Sequence, residues 1–338
     1  MSTTVHAHAA FEARGALQPF EYELPELSGD QVDIAVEHCG ICHSDLSMLD
    51  NDWGGSRYPL VPGHEVTGRI IAVGPAVTHL KPGDAVGLGW HAGSCLHCGQ
   101  CMSGDHNLCR QAEATIVRRH GGFADRVRAR AAFVCALPAG LDAASAGPLF
   151  CGGITVFNPI VEFGVKPTDR VGVVGIGGLG HLALQFLRHW GCEVTAFTSS
   201  ESKHAEAQAL GAHHAVNSRD PDALKALAGQ FDFLLVTVNV SLDWPRYLSL
   251  LGPRGRLHVV GAVLEPMSVP VFSLMGGQKS VSSSPVGSPQ RIRTMLDFCA
   301  GHGIRPQVET YPMAEVNTAL QRLRDGQARY RIVLSNPA

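Results

Sequence analysis

The chain holds ten cysteines, and four of them, Cys95, Cys98, Cys101 and Cys109, crowd into one short loop. The spacing Cys-x-x-Cys-x-x-Cys-x7-Cys offers four soft thiolates, the closed tetrahedral set of a structural Zn2+ with no position left for a substrate. Gly93, Gly99 and Gly104 supply the turns. An iron–sulfur cluster uses the same ligand type, but the spacing departs from both ferredoxin patterns. With four thiolates at hand, the nearby His91, His97 and His106 are expected to be solvated loop residues. A second set is scattered: Cys42 in Cys39-Gly-Ile-Cys42-His43-Ser44-Asp45, His64 and Glu65 in Pro62-Gly63-His64-Glu65, and Cys151 in Phe150-Cys151-Gly152. Two thiolates and one imidazole leave a fourth position open, which is what a catalytic zinc requires. Spacing does not join these three. Cys39 and Cys42 also form a Cys-x-x-Cys pair, so a redox couple competes, and an inert buried thiol competes for Cys151.

A third group is built from glycine. Val171 to Gly180 reads as strand, tight turn and helix, with Gly175, Gly177 and Gly180 in G-x-G-x-x-G spacing. Such glycines allow the turn, the approach of a pyrophosphate and close helix packing, and the helix start offers free N–H groups to the phosphates. An ordinary strand-to-helix turn is the competing reading. The following strand decides the nicotinamide. An NAD site wants an acidic residue at that strand's tip. Here Glu193 opens the strand and its tip is Thr198-Ser199-Ser200, with Lys203 just beyond. Two hydroxyls and an ammonium suit a 2′-phosphate, so NADP(H) is expected; helix capping by the serines is compatible with that.

These groups need two kinds of scaffold. The first ~150 residues carry short apolar runs (Val32–Val36, Val66–Val73, Asp84–Gly89) between turn signals such as Lys81-Pro82-Gly83-Asp84, the pattern of an irregular β-barrel. From about Ala146 the pattern alternates. Helices are expected over Gly152–Glu162, Leu179–Trp190 and Lys203–Leu210, and strands over Val171–Val174, Glu193–Thr198, Phe231–Val238 and Arg256–Val260, giving a parallel sheet. The tail adds helices over Arg291–Ala300 and Ala314–Arg324 and a last strand, Arg331–Leu334. A length of 338 residues favours two domains. The formal charge of −3 leaves no basic surplus for nucleic acid. The N-terminus does not read as a signal peptide and no run approaches ~18 apolar residues, so a cytoplasmic protein without membrane partners is expected.

Together these segments resemble the zinc-containing medium-chain dehydrogenase/reductase family, over nearly the whole chain. The Gly-Ile-Gly-Gly-Leu-Gly-His turn, the Ser199-Ser200 tip and Cys42-His-Ser-Asp-Leu46 look most like its cinnamyl-alcohol-dehydrogenase branch, nearest to bacterial NADP-dependent aldehyde reductases of broad range. The resemblance implies a GroES-like irregular β-barrel catalytic domain (1–147, with a zinc lobe at about 91–110), an inserted Rossmann doubly wound sheet (148–287) and a C-terminal return (288–338). It implies Cys42, His64 and Cys151 as catalytic zinc ligands with Glu65 beside them, and Cys95, Cys98, Cys101 and Cys109 as structural zinc ligands. Ser44 takes the place of the hydroxyl in the proton relay, and His43 faces the cofactor phosphates. Further cofactor contacts implied are Thr155, Gly178, Leu179, Val238, Gly261, Ser284 and Arg331. Many members carry histidine where Ser47 stands, so the relay ends in the cofactor ribose and water or recruits Asp50, Asn51 or another group. Trp53 and Trp90 are candidate walls of an aldehyde pocket, with ordinary core tryptophans as the alternative. The expected reaction is reversible reduction of an aldehyde to a primary alcohol with two zinc ions and NADP(H), in a homodimer joined through the Rossmann sheets. An NAD-linked polyol or secondary-alcohol dehydrogenase and a non-catalytic NADP(H) sensor are the competing functions.

Overall fold

The computed structural model describes residues 2–337. The chain divides into two compact units, Met1–Ile154 with Val286–Ala338, and Thr155–Pro285. It passes from the first to the second inside the helix Gly152–Glu162.

The first unit is organised by one long strand, Gln31–Ile41. Val32, Ile34 and Val36 recur at every second position and are buried, the period of a strand with one face in the core. Asp33 is buried as well, because Arg128 grips it with two bonds of 2.7 and 3.0 Å. The strand's register against Val66–Val73 slips between Asp33 and Ile34 and again between Val36 and His38. Bulges bend a strand and raise its twist. Along its other edge the first half pairs with Arg126–Arg130 and the far half with Arg331–Ser335. The sheet runs Val308–Pro312, Arg331–Ser335, Gln31–Ile41, Val66–Val73, Ala85–Leu88, Val134–Ala136, with Arg126–Arg130 off that path. Among the described residues no pairing joins its two ends, so the expected barrel is an open, bulged seven-stranded sheet. A separate hairpin, Thr3–Ala9 with Gln18–Leu24, stands outside the expected elements. Its alternation of buried Val5, Ala7 and Ala9 with His6 and His8 is the signal that marks it.

The second unit is a parallel six-stranded sheet: His214–Asn217, Glu193–Thr198, Arg170–Val174, Phe231–Val236, Leu251–Val259, Ser280–Ser283. Numbered by chain order within the sheet, this is the 3-2-1-4-5-6 order of a doubly wound dinucleotide fold, whose order reverses beside the first strand. Its inner strands read as continuous apolar runs because both faces are covered. No single helix among the described residues is long and apolar enough to cross a membrane.

Candidate metal centres and cofactor turn

Cys42 follows directly on the long strand and stands at the start of the helix His43–Asp50. The carboxylate of Asp45, in that helix's first turn, does three things. One oxygen accepts from the Cys42 amide at 2.9 Å. The other accepts from the Gly63 amide at 2.9 Å and meets His64 Nδ1 at 3.0 Å. Asp45 therefore ties the helix start to the Pro62–Glu65 turn and assigns the His64 proton to Nδ1, leaving the Nε2 lone pair for a ligand. His64 Nε2 lies 3.2 Å from Cys151 Sγ, and the Cys42 and Cys151 sulfurs are 3.9 Å apart. One ligand atom from each of Cys42, His64, Glu65 and Cys151 falls within 4.8 Å of the others, and all four residues are buried. Ligands about 2.3 Å from a tetrahedral zinc sit ~3.8 Å apart, so the donor set fits that ion. Sequence reasoning gives Asp45 no role. Its one signal is an acid three residues past a cysteine at a helix start, which reads equally well as a plain first-turn carboxylate.

The electrostatics suit a cation. The Cys42 thiol is pulled well below its ordinary pKa, first by its hydrogen bond with Cys151 and then, against burial, by His64. Cys151 is pushed well up by that same bond and by burial. Two buried thiolates in contact cannot both ionise unless a positive ion takes the place of the shared proton. Glu65 is raised to about 7 by burial, which Arg331 opposes. Arg331 donates to Glu65 Oε1 and to the Ile41 carbonyl, while Glu65 Oε2 has no partner at all. Glu65 therefore keeps a buried carboxylate oxygen that no hydrogen bond satisfies, the chemistry of a metal donor. Arg331 itself belongs to the first unit, with its guanidinium on Glu65.

The four-cysteine lobe is also assembled. Its sulfurs are 3.5 to 3.8 Å apart, again the edge of a tetrahedral zinc shell. Cys101 and Cys109 are buried, and Cys95 and Cys98 are half-buried. A cavity of about 420 Å³ opens on Cys95, Cys98 and Cys109. His97 is exposed. His91 and His106 are half-buried, which corrects the expectation of solvated residues. His106 packs on Phe133 and meets Ser94 Oγ; His91 is desolvated enough to hold its pKa at about 4. None of the three joins the sulfur cluster.

In the second unit Gly175 adopts a φ of +92°, and a Cβ on Gly180 would lie 2.0 Å from the Gly175 carbonyl oxygen. A Cβ on Gly177 would meet nothing within 4 Å. The first two thus need glycine for the turn and the helix approach, and Gly177, beside Gly178 and Leu179, faces open space of the kind a pyrophosphate requires. At the neighbouring strand tip Ser200 makes no capping bond; its hydroxyl meets Ser202 at 2.7 Å. Lys203 follows at the end of the short turn Glu201–Lys203. Glu193 lies at the opposite strand end, held by Arg170 and His214. Val238, Gly261 and Ser284 follow the carboxyl ends of three strands of the same sheet. Thr155 is buried in its helix.

In the first unit, Ser44 Oγ is 3.8 Å from Cys42 Sγ, and His43 is exposed. Trp90 packs edge-on against His64, with ring centroids 5.0 Å apart, and Trp53 packs against Trp90 at 6.1 Å. Trp53 is 39% exposed, so it is not a core residue. Two substitutes for the missing relay histidine are already engaged: Asp50 takes Arg324 in two bonds of 2.5 and 2.6 Å, and Asn51 Oδ1 accepts from the Ser56 amide.

Residues 28–139 match the family model of the alcohol dehydrogenase GroES-like domain, and residues 178–301 that of the zinc-binding dehydrogenases. An aldehyde reductase of Synechocystis sp. is 57% identical over 332 residues, spanning 98% of this chain and 99% of that protein. A solved cinnamyl alcohol dehydrogenase of Sorghum bicolor superposes with a TM-score of 0.94 at 38% identity, covering 98% of both chains. A cinnamyl alcohol dehydrogenase of Helicobacter pylori, solved with NADP(H), superposes with a TM-score of 0.92 at 29% identity, covering 99% of both.

Proposed function

The chain belongs to the zinc-containing medium-chain alcohol dehydrogenases, and from that premise we propose that Cys42, His64 and Cys151 hold the catalytic zinc of an NADP(H)-linked aldehyde reductase. The enzyme interconverts aldehydes and primary alcohols. When bound, zinc supplies a Lewis acid that polarises the carbonyl and NADPH supplies the hydride. The chain's own residues hold and orient. Asp45 fixes the His64 tautomer, Arg331 keeps Glu65 beside the metal ligands, and Ser44 passes the proton. Trp90 and Trp53 form the apolar wall against which an aldehyde's side chain is desolvated. The observation that carries this reading is the convergence of two sulfurs, one imidazole nitrogen and a carboxylate oxygen in one buried spot.

Ser199, Ser200 and Lys203 are the proposed holders of the cofactor's 2′-phosphate. The test is an aldehyde panel run with NADPH and with NADH, paired with metal quantification. Expected are two zinc ions per chain and a kcat/KM that favours NADPH. A preference for NADH would overturn the phosphate assignment, and a zinc-free active enzyme would overturn the metal assignment.

We also propose a homodimer. The strand Ser280–Ser283 ends the six-stranded sheet, so one row of its backbone groups is unpaired by that sheet. The helix Val271–Met275 just before it exposes Phe272 at 86% and Val271 and Met275 at 66% and 63%, an apolar patch of the kind buried by self-association. Light scattering of the purified chain reads the state directly; a monomer would exclude it. Ten thiols free of disulfides favour a reducing compartment, and a cytoplasmic location is the corresponding proposal.

A further inference from the structure

A histidine that neither candidate metal centre uses lies buried in the second unit's sheet. His258, on the strand Leu251–Val259, is 0% exposed. Its Nδ1 meets Ser282 Oγ at 2.9 Å and its Nε2 meets Ser284 Oγ at 3.0 Å. The ring stacks on Phe233 with centroids 6.0 Å apart and leans on Phe163 at 4.9 Å, so it has no freedom to turn. Burial, helped by Arg256, drives its pKa down to about 4. A neutral imidazole donates from one nitrogen and accepts at the other. With the proton on Nε2, the ring accepts from Ser282 and donates to Ser284, and the Ser284 hydroxyl hydrogen is then free to point elsewhere.

The place of Ser284 says where. It follows directly on the strand Ser280–Ser283, last of the three strands on one side of the glycine turn. The other side carries the Ser199-Ser200 tip. In a doubly wound sheet the two halves bind the two nucleotides at the carboxyl ends of the strands. With the 2′-phosphate adenosine on the first half, the second half takes the nicotinamide. We infer that His258 is a positioning residue for the nicotinamide, acting through Ser284, whose hydroxyl it holds as a donor to the carboxamide oxygen. The inference rests on the cofactor reading above.

The test compares NADPH with 2′,5′-ADP, which has the phosphorylated adenosine and lacks the nicotinamide, using equilibrium binding to the purified protein. His258→Leu keeps volume and removes both bonds. It should weaken NADPH about five- to tenfold, the scale of one hydrogen bond, and leave 2′,5′-ADP unchanged. His258→Gln, whose amide can donate where Nε2 does, should recover most of the loss. Ser284→Ala should weaken NADPH to a similar degree, and the double variant little further. Equal weakening of both ligands by His258→Leu would mean a merely structural histidine and overturn the inference. So would unchanged NADPH binding, or additive losses in the double variant. Failure of the unaltered protein to bind either ligand would instead overturn the cofactor reading beneath it.

Discussion

The two cysteine clusters of the first unit share a ligand chemistry and differ in everything around it. In the lobe the four ligands are close in sequence, and a cavity opens on three of the sulfurs. In the other cluster Cys42 and Cys151 are 109 positions apart, and every ligand is buried. A metal held by neighbours in sequence closes a local loop and stabilises that loop. A metal held by distant residues depends on the rest of the fold to bring them together, and it can keep a position open for chemistry because its ligands need no help from the metal to find one another. Asp45 and Arg331 are the residues that do this assembling, since each ties a ligand to a different strand or turn.

If that division holds, substitutions in the two clusters should fail in opposite ways. Cys151→Ser or Cys42→Ala should lower kcat/KM by about a thousandfold or more, because several kcal/mol of carbonyl stabilisation is lost. Tm should shift by only a few degrees and zinc should fall from two to one per chain. A variant with near-normal turnover breaks the comparison at its strongest point. Cys98→Ala should also lose one zinc, but it should lower Tm by about 5 °C or more while the folded protein turns over nearly as before. An unchanged melting curve would remove the structural role.

Exposure gives a sharper, kinetic version. A chelator reaches the lobe through its cavity, whereas the buried cluster must wait for a larger opening of the fold. Zinc released to a colorimetric chelator should appear in two phases, a fast one that leaves aldehyde reduction intact and a slow one that parallels its loss. Cys98→Ala should lack the fast phase. Release in a single phase, with activity falling in step, would show the clusters equally protected.

The same contrast explains how far residue types and spacing alone can be read. The lobe is legible as a metal site because its whole shell lies in one loop. The other cluster is not joined by its spacing, and only the resemblance places Cys151 with Cys42 and His64. Asp45 carries no signal of its role because its partners, the Gly63 amide and His64 Nδ1, are tertiary neighbours. In the second unit the inner strands Arg170–Val174 and Phe231–Val236 are visible as apolar runs. The outer strands His214–Asn217 and Ser280–Ser283 are not, since marginal strands carry polar side chains and lose the pattern. His258 is hidden for a related reason: a lone histidine in a strand shows nothing of the two hydroxyls that satisfy it. The irregularity of the first unit's sheet includes the bulges of Gln31–Ile41, whose positions no alternation of residue types announces.

The smallest expected effect concerns the scaffold of the lobe. His91 begins the short ribbon His91–Gly93, paired with Glu113–Ala114, that leads into the four cysteines. Burial lowers its pKa from 6.5 to about 4. As pH falls below 6.5 the unfolded chain takes up a proton that the folded chain refuses until about 4, so stability contributed by the neutral ring is full above 6.5 and drains away between those limits. His91→Gln removes that titration. Between about pH 7.5 and pH 5.5, with both zinc ions retained, the Tm difference between wild type and variant should move by about 2 °C in the variant's favour, the scale of a partly desolvated imidazole. A difference that stays constant across that range would mean His91 is hydrated in solution, and the lobe would then be more open than its ribbon implies.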